Sequence, residues 1–259
     1  MASLDCESPD AVLNSLSDIY QVEKVQLIEF LQKLDIDAHY ETSKPELDSK
    51  EEMRRLLENC FGPPKENITR TCWFHLTRAE AATNFDEGLL PLDIVLPRIW
   101  QMLLRIVGNS NHAERLIAMS KEGVSSFQYN LKTTNSLHSG PYAMLIKEIG
   151  AFANSVGNHD YLKIPEIVED ICSGYETRFG ESIQPIIELA LIPTIVKFWS
   201  ESTDHLYALS PAIYYAYQSC RGLELSSLAN TCFDGQGKTI PKERISYIER
   251  VNHPTDYYV

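Results

Sequence analysis

Three groups of residues in this 259-residue chain are of types that do chemistry. The first is Cys72-Trp73-Phe74-His75-Leu76-Thr77-Arg78, followed by Phe85-Asp86-Glu87-Gly88-Leu89-Leu90-Pro91. It reads as a strand ending in an imidazole and a hydroxyl, with a cation next to them and a short loop to Gly-Leu. A hydrogen-bonding pair of that kind can fix the orientation of a polar ligand. The second group is more dispersed: an aromatic residue after a turn in Gly140-Pro141-Tyr142, and acids at Glu166, Glu169, Asp170 and Glu249. Asn158-His159-Asp160-Tyr161, with His138 nearby in sequence, offers a third set suited to a proton relay or a metal.

The first segment resembles the first motif of the ADP-ribosyltransferase superfamily. That superfamily includes poly-ADP-ribose polymerases, the DNA-modifying DarT toxins and the tRNA 2′-phosphotransferases. The resemblance implies that NAD is a substrate, with His75 and Thr77 holding its nicotinamide-side ribose and amide and Arg78 facing a phosphate. Tyr142 resembles the second-motif aromatic that stacks against nicotinamide. Glu166 or Glu249 would be the third-motif glutamate, stabilising a ribosyl cation or activating the acceptor. Leu76 stands where the family usually has Gly, which narrows the space for a ligand. Tyr142 and Glu166 lie closer in sequence than second and third motifs usually do. Glu166 also heads a helical pattern, whereas Glu249 falls on a possible closing strand.

Each of these residues has a plainer reading. His75 lies between apolar residues, as a hydrogen-bonded core or edge histidine does. Tyr142 is one of thirteen tyrosines, and packing alone is its plainer explanation. Glu166, Glu169 and Asp170 in a helix's first turn complement the helix dipole. The polar residues around His159 suit a turn between two elements. Gly235-Gln236-Gly237-Lys238 lacks phosphate-loop spacing and reads as a connecting turn.

The elements that must position these residues follow from periodicity. Val12, Leu16, Ile19 and Tyr20, then Val25, Ile28, Leu31 and Leu34, recur at helical spacing. Met53, Leu56, Leu57 and Cys60 continue the pattern until Gly62-Pro63-Pro64 stops it. Residues 1–64 therefore read as an N-terminal helical section, and 65–259 as an α+β domain. Ile68–Thr77 favours a strand. Asp93 caps a helix bearing Leu96, Ile99, Trp100, Leu103 and Val107, with Pro97 in its first turn. A short helix follows around His112–Lys121. Tyr142–Ile149 is an apolar run of strand or helix. A helix begins at Pro165, a strand covers Thr194–Trp199, a tyrosine-rich helix covers Leu206–Cys220, and Arg244–Val251 closes the chain as a strand. The uneven alternation predicts an α+β fold with a central mixed or antiparallel sheet and surrounding helices.

Composition bounds the rest. Hydrophobic residues make up 44% of the chain, enough for a sizeable core. Acids exceed bases by 36 to 23, and the net charge of −13 disfavours generic duplex nucleic acid as a partner. Six cysteines without a C-x-x-C pair fit reduced thiols, and no metal is expected. The start lacks a basic segment followed by an apolar run, and Ile186–Trp199 is broken by Glu188, Pro193 and Lys197. The expected setting is cytoplasmic, without a membrane partner. Three functions fit: an ADP-ribosyltransferase-like NAD-binding enzyme transferring ADP-ribose to a macromolecule; a non-catalytic interaction, immunity or regulatory protein whose acidic surface meets a basic partner; and a hydrolase acting through His159 and Asp160.

Overall fold

The computed structural model describes residues 2–134, 139–150, 153, 156–201 and 206–251. In chain order the elements are β1 (Ala2–Leu4), α1 (Pro9–Tyr20), α2 (Lys24–Lys33), α3 (Ile36–Ser43) and α4 (Ser49–Phe61). Then come β2 (Ile68–Ala79), α5 (Leu92–Val107), α6 (Asn111–Glu122), α7 (Phe127–Thr134), β3 (Tyr142–Met144) and α8 (Glu166–Phe179). The chain continues through α9 (Gln184–Ala190), β4 (Ile192–Ser200), α10 (Leu206–Arg221), β5 (Cys232–Asp234) and β6 (Ile245–Arg250). This is the expected α+β fold. The sheet has the order β5-β3-β2-β4-β6, with β1 also paired to β2. It is mixed: β1 runs parallel to β2 with Leu4 opposite Thr71, and β3 runs antiparallel with Phe74 opposite Met144.

The chain forms two compact units, one of residues 1–74, 143–158 and 197–233, the other of residues 75–142, 159–196 and 234–259. The division expected at residue 64 is therefore corrected. Residues 1–64 share their unit with later segments because α10 packs on α1, α2 and α4 and β1 pairs with β2.

In the first unit, helix starts are set by side-chain caps. The Ser8 hydroxyl accepts from Ala11 N at 3.2 Å, and the Asp48 carboxylate from Glu51 N at 3.0 Å. The tyrosine-rich helix α10 is core: Ala212, Ile213, Tyr215, Ala216 and Tyr217 are buried. Lys197, 7% exposed, is stabilised in that setting by Asp5 Oδ2 at 2.5 Å and Glu7 Oε2 at 2.7 Å. Leaving an ammonium there unpaired would cost several kcal/mol.

The second unit is built on Trp100, Leu103, Leu116, Met119, Ile171, Tyr175 and Ile187, which bring α5, α6, α8 and α9 around one cluster. α5 starts at Leu92 behind Pro91 rather than behind Asp93, so Pro97 lies past the first turn. Both Pro97 and Asp93 are exposed, and water can serve the Asp93 carbonyl that Pro97 cannot. The apolar run after Tyr142 resolves into a short strand and then a single tight turn at Lys147–Gly150. All six cysteines are free, with Cys6, Cys72 and Cys172 buried. Burial pushes the Cys72 thiol up to about 11 and the Cys172 thiol to about 12. Among the described residues, no helix is long and apolar enough to cross a membrane.

Candidate functional site

β2 runs two residues past Thr77, so His75 sits inside the strand rather than at its end. Alternation along the strand sets His75 and Thr77 on one face and Arg78 on the other. The His75 imidazole is half-buried and its Nδ1 lies 2.7 Å from the Tyr142 carbonyl oxygen. A carbonyl only accepts, so the proton is on Nδ1. Desolvation holds the ring below the usual histidine range, against the pull of that same bond. The neutral imidazole thus keeps the Nε2 lone pair, which can accept from a hydroxyl. Thr77 is half-buried, and its Oγ1 donates to the Arg78 carbonyl at 3.5 Å, a weak contact.

Tyr142 is 39% exposed, so its main chain receives His75 while its ring faces solvent. Partial desolvation, then the Asp234 and Glu166 carboxylates, raise its phenol above the ordinary range. Glu166 opens α8. Its Oε1 accepts from the Tyr161 hydroxyl at 3.1 Å, and its Oε2 lies 3.1 Å from Lys132 Nζ. Lys132 also reaches Asp170 Oδ2 at 2.8 Å. Desolvation works to lower the Lys132 pKa and is outweighed by Asp170 and Glu166, which raise it.

Tyr142 links the other two in the second unit: its carbonyl accepts from the His75 imidazole and the Glu166 carboxylate acts on its phenol, although 91 positions separate His75 from Glu166 in sequence. Two other candidates stand apart. Arg78 donates all five N–H groups to main-chain carbonyls: Nε to Leu191, Nη1 to Leu162 and Lys163, Nη2 to Glu188 and Leu191. No donor is left for a phosphate in this arrangement, and the guanidinium ties the end of α9 to β2. Glu249 is half-buried on β6, with β4 and β2 between it and β3. Three strand spacings put it roughly 14 Å from that strand.

The sets with plainer readings behave as turns. His159 Nε2 donates to the Ile164 carbonyl at 2.6 Å, and Asp160 Oδ1 accepts from Lys163 N at 3.0 Å. His138 lies outside the described residues. Gly235 N donates to the Pro141 carbonyl at 3.0 Å and Gly237 N to the Gly140 carbonyl at 2.8 Å. This seats the 234–238 turn on Gly140-Pro141, immediately before Tyr142. A Cβ at Gly235 would come within 2.6 Å of Pro141 Cδ, so only glycine allows that approach.

Sequence reasoning missed Asp234 and Lys132, and placed Tyr161 with His159 rather than with Glu166. No local pattern marks them, because each gains its meaning from a neighbour brought in by the fold. Compared with known protein families, curated proteins and solved structures, the chain matches none.

Proposed function

We propose that the His75–Tyr142–Glu166 group binds NAD and supports transfer of its ADP-ribose, as in the ADP-ribosyltransferases that the His75–Arg78 segment resembles. The observation that carries the reading is the 2.7 Å bond from His75 Nδ1 to the Tyr142 carbonyl. It joins the residues of the first and second motifs, and it leaves Nε2 as an acceptor suited to a ribose hydroxyl. The exposed Tyr142 ring offers a face for nicotinamide. Glu166, held on both oxygens, supplies fixed negative charge beside it. In the transfer, the glycosidic C–N bond breaks and nicotinamide leaves neutral with the bonding pair. The acceptor oxygen bonds to the ribose carbon and its proton passes to Glu166.

Isothermal titration of the full chain with NAD is the test. Binding in the micromolar-to-millimolar range is expected, and His75→Ala should weaken it by about 1–3 kcal/mol through the lost hydroxyl acceptor. A folded sample that takes up no NAD at millimolar ligand would leave the acidic interaction protein as the better account.

A further inference from the structure

We propose that Asp234 is a specificity-determining residue that makes this site prefer a ligand ring carrying positive charge. This rests on the reading that a nicotinamide-type ring lies against Tyr142. An oxidised pyridinium nucleotide then binds in preference to its neutral dihydropyridine form.

The register of β5 on β3 carries the argument. Gly235 N donates to the Pro141 carbonyl at 3.0 Å, and Leu145 N to the Thr231 carbonyl at 3.0 Å. In an antiparallel ladder these two bonds set Asp234 directly opposite Tyr142, and Cys232 opposite Met144. The Cys232 Sγ to Met144 Sδ contact of 3.5 Å agrees. Both are non-hydrogen-bonded pairs, whose side chains stand closest across a sheet. Asp234 and Tyr142 are both exposed. Asp234 Oδ1 accepts from Gln236 N at 2.8 Å, and among the described residues Oδ2 has no partner.

The charge around the ring is unevenly met. Lys132 is shared between Glu166 and Asp170, and no Lys or Arg pairs with Asp234 among the described residues. A carboxylate and the negative face of a phenol ring therefore act in the same direction on a ligand. Pyridinium and dihydropyridine rings match closely in size and amide hydrogen bonding. They differ in charge as well as in aromaticity, and Asp234 would read the charge.

The test is titration of the full-length protein and of Asp234→Asn with NAD in its oxidised and reduced forms. The cation 1-methylnicotinamide and neutral nicotinamide serve as ring-only probes. Asparagine keeps an acceptor for Gln236 N, so the turn is preserved. The wild type should favour the oxidised dinucleotide about tenfold, and Asp234→Asn should reduce that to about threefold or less by weakening the oxidised form alone. Raising the salt on wild-type protein should narrow the preference in the same way. Equal affinity for the two forms, or a preference that Asp234→Asn leaves intact, would overturn the assignment while the NAD reading stands. Charge-selective, Asp234-dependent binding of the ring probes without dinucleotide binding would uphold the assignment and remove the NAD reading. A folded protein that binds none of the four ligands would overturn both.

Discussion

Arg78 and Glu166, both drawn from the same resemblance, meet different surroundings in the fold. Arg78 neighbours the His-x-Thr pair in sequence, yet its five donors all serve the main chain. Lysine has three donors and no planar fork, so Arg78→Lys should lower stability by about 2–4 kcal/mol, read from urea denaturation. The folded variant should bind NAD as the wild type does. A drop in affinity without a drop in stability would restore a phosphate-facing role. The Glu166 carboxylate acts on the Tyr142 phenol, and in the proposed transfer its charge would matter most where positive charge develops. Glu166→Gln should suppress nicotinamide release while NAD affinity holds, and Glu249→Gln should change neither. Turnover assays of the two variants side by side decide between the glutamates, and a loss confined to Glu249→Gln would reverse the choice.

At the level of elements, the N-terminal helices are joined by a buried acid that periodicity could not single out. Glu52 of α4, 1% exposed, accepts from Arg55 Nε at 2.7 Å and lies 2.6 Å from His39 Nε2 of α3. The Arg55 hydrogen bond lowers its pKa first of all, desolvation opposes that, and His39 assists. A folded-state pKa below the unfolded value of about 4.3 gives a definite sign. The stabilisation is present above the unfolded value and is lost as pH falls through the folded one. Glu52→Gln should cost about 1–3 kcal/mol at pH 7. It should also flatten the decline in stability below about pH 4.5, followed by denaturant midpoints across pH. An acid limb as steep as that of the wild type would place the sensitivity elsewhere.

For the molecule as a whole, the prediction about partners comes from its net charge of −13. With 36 acids against 23 bases, the long-range field repels phosphate backbones. Fluorescence anisotropy with an arbitrary DNA duplex should show no binding at physiological salt. Salt-dependent binding there would point to a local basic groove that outweighs the net charge.

Much of the architecture was legible in the residues themselves. Helical periodicity found α1, α2, α4, α5, α6, α8 and α10, and β-branched and aromatic runs found β2 and β4, because these signals are local and repeat along one face. The closing strand β6 and the turn at 234–237 were legible for the same reason. β1, α3, α7, α9 and β5 escaped, since elements of three to eight residues display too little of a period. The candidate site was half legible: the resemblance around His75 singled out His75 and Tyr142, with Glu166 and Glu249 as alternative glutamates. Which of them meet was decided by pairing between strands far apart in sequence. The same pairing placed Asp234 beside Tyr142, kept Glu249 away from it and turned Arg78 toward carbonyls. Local propensity acts within a few residues, whereas strand register and burial are settled only when the whole chain has closed around its cores.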